Sequence, residues 1–291
     1  MELWYWEEHT KGVRLGLKCT RTLYSGQSKF QKIDVLETLD YGRLLLLDGL
    51  VMLTSRDEFI YHEMMVHPAC FVHRGAETAL VIGGGDGGTV RELLRHGNLR
   101  RIVLCEIDPD VVEVSKRFFP EVASGLLEEN SRVELLFQDG AGFVEENPGR
   151  FDLILIDSTD PVGPGEILFS EGFYSSCFRA LRPGGVLAAQ TESPFHHLDL
   201  MKGVKERLTA SGFGLVRFYT APVPTYPGGY WSWVFASKQG GQAEGRRLHP
   251  LRDVKIGPSD EMVLKGLRYY TPDIHHAAFR LPRFVLEALK R

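Results

Sequence analysis

The stretch VIGGGDGGTVREL, residues 81–93, decides the fold. Its apolar start reads as a buried strand, the glycines as a tight loop, and TVREL as the opening of a helix, the order that begins a dinucleotide-type βαβ unit. Such loops usually receive a phosphate on the free amides of the helix N-terminus. Here Asp86 stands among the glycines. Two like charges about 4 Å apart cost on the order of 4 kcal/mol at an effective dielectric near 20, so a pyrophosphate is a poor guest. The residues favour an adenosine that carries a cation.

Outward from this loop, TALVIG, TVRELLRHG, RIVLCEID, PDVVEVSKRFF, RVELLFQDG, FDLILIDS, FYSSCFRALRPGG and VLAAQTES alternate strand with helix. Continuous apolar runs separated by helices indicate a parallel sheet covered on both faces, and right-handed crossovers make it doubly wound. FGLVRFYT and YWSWVFASK follow with only a loop between them, which predicts an antiparallel close to the sheet. Upstream, from Gly12 to Ser55, GVRLGLKCTRTLYSG, FQKIDVLETLDYG and RLLLLDGLVMLTS predict a small antiparallel sheet. The expected division is an N-terminal β domain over residues 1–60 and a Rossmann-like domain over 61–291 with a C-terminal helical tail. DEFIYHEMMVHPACF has helical spacing, with a break expected at Pro68. KQGGQAEGRRLHP reads as a surface linker.

At 291 residues, 43% hydrophobic and 25% charged, the chain can bury a full core. Its net charge of -4 offers no basic surface for nucleic acid or an anionic membrane. No segment stays apolar for the roughly 18 residues of a membrane span, and MELWYWEEHT has no leader pattern, so the expected location is the cytoplasm. Cys19, Cys70, Cys105 and Cys177 occur singly, which predicts reduced, packed thiols and no metal site.

Ligands of doubly wound sheets bind beyond the carboxyl ends of the strands. Acids stand at those ends: Asp86 after the first strand, Glu106 ending the second, Asp139 the third and Asp157 the fourth. Glu106 follows the glycines at the interval of the acid that accepts from a ribose. Asp139 can take the amine of an adenine. Asp157 and Asp160, three residues apart, can face one pocket at different depths. An S-adenosylmethionine derivative fits, having a sulfonium and no phosphate, and RPGG is a common turn in folds of the S-adenosylmethionine methyltransferase type. An intact amino-acid tail brings a carboxylate to Asp86; a tail ending in an ammonium pairs with it instead.

GGGDGG, CEID, QDG, DSTDPVGP, QTESP and PTYPGG, with SKFQ, LLLLDG and RDEFIYHEM upstream and LRYYTPDIHHAAFRLP near the end, resemble the spermidine synthases, the polyamine aminopropyltransferases, in bacterial form. The resemblance implies decarboxylated S-adenosylmethionine as co-substrate, with no separate cofactor, and putrescine as the small-molecule diamine acceptor, giving spermidine and methylthioadenosine. It implies that Gln31, Asp86, Glu106, Asp139, Gly140 and Pro164 line the nucleoside site. Asp157 becomes the proton acceptor, with Tyr61, His62, Asp160 and Tyr226 around the polyamine. His62 stands where some relatives carry Gln. Trp4, Tyr61 and Tyr226 are expected to wall the methylene chain, and Asp160 and Glu192 to meet the far ammonium. Agmatine, cadaverine and spermidine remain open as acceptors. An S-adenosylmethionine methyltransferase shares the fold but gives Asp86 no role, and a non-catalytic polyamine or nucleoside binder should have lost a reacting residue. A homodimer or homotetramer is expected, paired through the apolar N-terminal strands.

Overall fold

Alternation of apolar and polar residues builds the first sheet. A computed structural model, which describes residues 2–159, 163–239 and 247–290, has five strands here in chain order: β1 (Leu3–Thr10), β2 (Val13–Gln27), β3 (Lys32–Thr38), β4 (Arg43–Leu47) and β5 (Leu50–Thr54), each antiparallel to the next. The sheet therefore begins one strand earlier than Gly12, because the aromatics and charges of LWYWEEHT conceal an alternating strand. Ile33, Val35, Leu45 and Leu47 pack on Val111 and Val114 of the helix that follows the second sheet's second strand. That contact seats the small sheet on the helical layer of the larger one.

The second sheet has seven strands: β6 (Thr78–Gly83), β7 (Arg101–Glu106), β8 (Val133–Phe137), β9 (Phe151–Asp157), β10 (Leu181–Gln190), β11 (Leu215–Ala221) and β12 (Trp231–Ser237). Their order is β11-β12-β10-β9-β6-β7-β8, parallel except that β12 runs against both its neighbours. The apolar runs close this sheet as the sequence predicts. From β6 the chain moves outward to β7 and β8, then returns to place β9 on β6's other side. The crevice for a ligand in such sheets opens at this reversal. Gly83 pairs directly with Asp157 across it.

Ten helices are described: α1 (Glu58–Val72), α2 (Gly88–Leu94), α3 (Pro109–Phe118), α4 (Ser124–Leu127), α5 (Gly140–Glu146), α6 (Glu171–Ala180), α7 (Leu198–Ala210), α8 (Glu261–Lys265), α9 (Pro272–Ala278) and α10 (Arg283–Lys290). One face of the sheet packs on α1 and α2, the other on α5, α6, α7 and α10. All four cysteines are buried and free. None of the described helices is long and apolar enough to cross a membrane. Residues 240–246 of the expected linker lie outside the described residues.

Helix α1 runs unbroken through Pro68, against the expected break. Proline lacks the N–H that would bond the carbonyl four residues back, here Met64. The structure supplies another donor: Tyr219 Oη on β11 donates to Met64 O at 3.0 Å. Both groups are fully buried, since α1 is covered by the sheet on one side and by Tyr270 and Phe279 of the C-terminal segment on the other. Tyr219→Phe should therefore cost about 1–3 kcal/mol in denaturant unfolding, the penalty of an unpaired buried carbonyl. Adding Pro68→Ala restores a helical N–H to Met64 O and should recover part of the loss. Additive effects in this double-mutant cycle would refute the substitution of one donor for the other.

Candidate active site

The glycine loop is what lets the strand ends meet. Gly83 and Gly84 have φ of 75° and 71°, the left-handed region that favours glycine. A Cβ on Gly84 would lie 2.8 Å from Asp157 Oδ2, and one on Gly85 2.8 Å from Glu106 Oε2. One on Gly88 would overlap the ring of His62. Three functional side chains thus occupy space that any other residue in GGGDGG would fill.

Around the loop lies a cavity of about 240 Å³. Gln31, Tyr61, His62, Asp86, Glu106, Asp139, Gly140, Asp157 and Tyr226 all line it, so most of the expected site residues come together. Two do not. Trp4 sits on the outward face of β1, 42% exposed and stacked on Trp6, because strand alternation turns it away from the side that carries Tyr5 and Glu7. Glu192 is buried past the end of β10, 3.3 Å from His197 Nδ1, and it is Gln190 that reaches a cavity wall. Asp160 and the side chain of Pro164 lie outside the described residues.

Asp157 is held from both sides. Tyr61 donates its hydroxyl to Oδ1 at 2.7 Å, and Thr89 of α2 to Oδ2 at 2.6 Å. Burial, and then the charge of Asp86, raise its pKa above the usual carboxylate range. Asp86 accepts the Gly88 amide at 2.7 Å and faces His62 Nε2 at 3.2 Å, both through Oδ1. Oδ2 has no hydrogen-bond partner among the described residues. One side-chain atom each of His62, Asp86 and Asp157 lies within 4.8 Å of the others. Burial opposes charge on His62, yet Asp86 on one side and Glu58 on the other lift its pKa to about 10. His62 and Asp86 thus stand as an ion pair at 3.2 Å, with Asp157 beside them.

At the other end, Glu106 accepts from the backbone amides of Gly85 (3.0 Å) and Asp108 (2.9 Å). Asp139 caps α5, accepting from Ala141 and Gly142. Gln31 donates to Asp108 at 3.0 Å, which ties the small sheet to the rim of the second.

A smaller cavity of about 30 Å³ adjoins the first, sharing Tyr61, Ser158 and Tyr226 with it. Glu7, Gln190 and Trp231 line it on the side away from the first. Glu7 is buried and accepts the Val51 amide at 2.6 Å. The sequence reading missed it. Its signal was parity: once LWYWEEHT is read as a strand, Tyr5 and Glu7 share the face opposite Trp4 and Trp6.

Comparison with known proteins follows the same division of the chain. Residues 58–244 match the spermine/spermidine synthase domain and residues 3–55 the spermidine synthase tetramerisation domain. The polyamine aminopropyltransferase of Alkaliphilus metalliredigens is 45% identical, the alignment covering 100% of this chain and 99% of that one. That of Clostridium perfringens is 44% identical, with the same coverage. Among solved structures, a spermidine synthase in complex with the transition-state analogue AdoDATO superposes with a TM-score of 0.91 at 40% identity, over 99% of this chain and 95% of that chain. The spermidine synthase of Thermotoga maritima gives 0.90 at 39%, over 99% and 94%.

The burial of Glu106 generates a testable value. Burial lifts its pKa to about 7 despite the two amides that favour the carboxylate. A ¹³C-carboxyl NMR titration should place its midpoint near 7; a midpoint below 5 would mean that the amides win. Because the folded-state value lies above the ordinary one, this group makes stability fall as pH rises from about 4.5 to 7.

Proposed function

The chain belongs to the spermidine synthase family, the polyamine aminopropyltransferases, and from that premise we propose that it transfers the aminopropyl group of decarboxylated S-adenosylmethionine to putrescine, releasing spermidine and methylthioadenosine. The observation that carries this reading is one cavity with Asp157 gripped by two hydroxyls at one end, Glu106 at the other and Asp86 between. An acid in the glycine loop suits a donor whose tail ends in an ammonium. An intact amino-acid tail would set its carboxylate against Asp86.

In this reading the nucleoside occupies the end lined by Gln31, Glu106, Asp139 and Gly140, its ribose hydroxyls donating to Glu106. The acceptor enters beside Tyr61 and Tyr226, with its reacting nitrogen at Asp157. An alkylamine with pKa near 10.4 costs about 4–5 kcal/mol to deprotonate at pH 7. Asp157 is the group that takes this proton or orients the lone pair, and its raised pKa makes it a better base than an exposed carboxylate. As positive charge passes from sulfur to nitrogen, a carboxylate beside the nitrogen gains attraction in the transition state. Holding both reactants in one crevice supplies much of the remaining acceleration.

The far ammonium of the acceptor is assigned to Glu7. The smaller cavity carries this buried acid, whereas Glu192 lies outside both cavities. Tyr226 and Trp231, with ring centroids 4.6 Å apart, give the methylenes an apolar wall. The apolar residues Leu3, Trp4, Trp6 and Val13, exposed on β1 and β2, support assembly of four copies through the small sheet, as does the tetramerisation match. Light scattering should return four chain masses, and a monomer would exclude this.

Incubation with decarboxylated S-adenosylmethionine and an amine panel, read by mass spectrometry, tests the acceptor. Putrescine should give the highest kcat/KM. Cadaverine should be 10 to 200 times poorer, since one misplaced methylene in a closed slot is worth roughly 1–3 kcal/mol. Preference for agmatine or spermidine would overturn the putrescine assignment and leave the transfer chemistry standing. In the same assay Asp157→Asn should lower kcat by at least about 10², the range of lost acid/base help. Glu7→Gln should raise KM for putrescine far more than for butylamine, which has no second ammonium.

A further inference from the structure

Glu58 lies outside both cavities, yet its carboxylate is fully engaged directly behind the site. It is buried at the first turn of α1, where Oε2 meets His62 Nδ1 at 2.6 Å. Arg91 of α2 grips the same carboxylate with both terminal nitrogens, at 2.9 and 3.1 Å. On the far side of the imidazole, Nε2 faces Asp86 Oδ1 at 3.2 Å. The ring is packed closely, since it lies where a Cβ of Gly88 would be and meets Tyr61 in a T-shaped contact. An ionised carboxylate only accepts hydrogen bonds. With Glu58 hydrogen-bonded to Nδ1 and Asp86 at ion-pair distance from Nε2, the charges on both sides favour a ring protonated on both nitrogens.

We propose that Glu58 is a positioning residue of the transfer reaction, holding His62 as an imidazolium so that the half-buried Asp86 and the buried Asp157 stay ionised together in one pocket. Two carboxylates sharing such a site otherwise take up a proton between them. Among the described residues, the charged or titratable groups facing the imidazole are Glu58 and Tyr61 on its own helix, Asp86 on the glycine loop and Asp157 at the end of β9, with Arg91 behind Glu58 on α2. Three are acids, one is a phenol, and the arginine is shared between Glu58 and Glu92. Loss of the imidazolium would hand a proton to the carboxylate pair, or turn a bare nitrogen lone pair on Asp86. Either outcome removes the base or displaces the group that meets the donor's ammonium.

The inference rests on the aminopropyl-transfer reading, but its first test does not. ¹⁵N NMR of the wild-type chain should show both His62 nitrogens protonated at pH 8, and a neutral His62 there overturns the proposal whatever the enzyme's substrates. Glu58→Gln keeps a hydrogen-bond acceptor for Nδ1 and removes the charge, so His62 should lose its proton at lower pH. Since the cation is the working form, activity must then be lost as pH rises. The ratio of variant to wild-type kcat/KM should fall at least tenfold between pH 6.5 and 9, and in this ratio the titration of the amine substrates cancels. A ratio independent of pH would mean that Glu58 only supports the fold. In a His62→Gln background, Glu58→Gln should add no pH dependence; the same tenfold fall there would show that Glu58 does not act through His62. Failure of wild-type transfer in the amine panel would refute the reaction, and the NMR result would still decide the pairing.

Discussion

Asp157 is buried and Asp86 half-buried beside it, with side-chain atoms inside 4.8 Å, and most of the surrounding structure answers the repulsion that this creates. Unscreened, such a pair costs several kcal/mol. His62 stands against Asp86, the Gly88 amide supports it, and the hydroxyls of Tyr61 and Thr89 cap Asp157. The groups come from α1, the glycine loop and α2, so no single element makes the site. A pocket with surplus negative charge attracts a cationic donor and a cationic acceptor, and its own strain falls when they bind. In the proposed reaction the same charge opposes the neutral amine, so the base has to sit directly on the reacting nitrogen.

Helix α1 bears most of this arrangement. Glu58, Tyr61 and His62 lie on its first turns, and its middle is buried among the sheet and the C-terminal segment. An amphipathic helix could have rested on the sheet alone; one buried all round needs a cover, and Tyr270 and Phe279 supply part of it. Glu63, also buried, accepts the backbone amides of Arg268, Tyr269 and Tyr270 and so locks that cover to the helix. A segment more than 200 residues away in the chain thereby fixes the position of the groups at the reacting centre.

The donor end was legible in the sequence because its residues are tied to local signals. A glycine loop and the last residues of apolar strands are positions that periodicity alone can find, and Asp86, Glu106, Asp139 and Asp157 lie there. Side chains approaching from other elements carry no such mark. Trp4 and Glu7 illustrate this: the aromatic drew attention, while alternation along an unread strand put the acid inside. Glu192 misled for a related reason, since the chain turns through φ 65° at that residue and carries it out of the strand's register. Pro68 signalled a break that only the hydroxyl of Tyr219, 151 residues later, removes.

The two ends of the site consequently depend on different parts of the fold. Glu106, Asp139 and Asp86 belong to the second sheet and its loops, whereas Glu7 and Met52, whose carbonyl accepts the hydroxyl of Tyr226, belong to the first. The small sheet meets the rest through apolar side chains on and after α3, through Tyr226 against the sheet's own core and Met52, and through Gln31 and Ser28 on Asp108. Changes to Glu7 on β1 can therefore alter the charge of the proposed acceptor slot while leaving Glu106 and Asp139 untouched. The acceptor end, as proposed, draws on both parts, Glu7 and Met52 from the first sheet and Tyr61, Tyr226 and Trp231 from the rest of the chain, so a change in the small sheet acts on it from one side only.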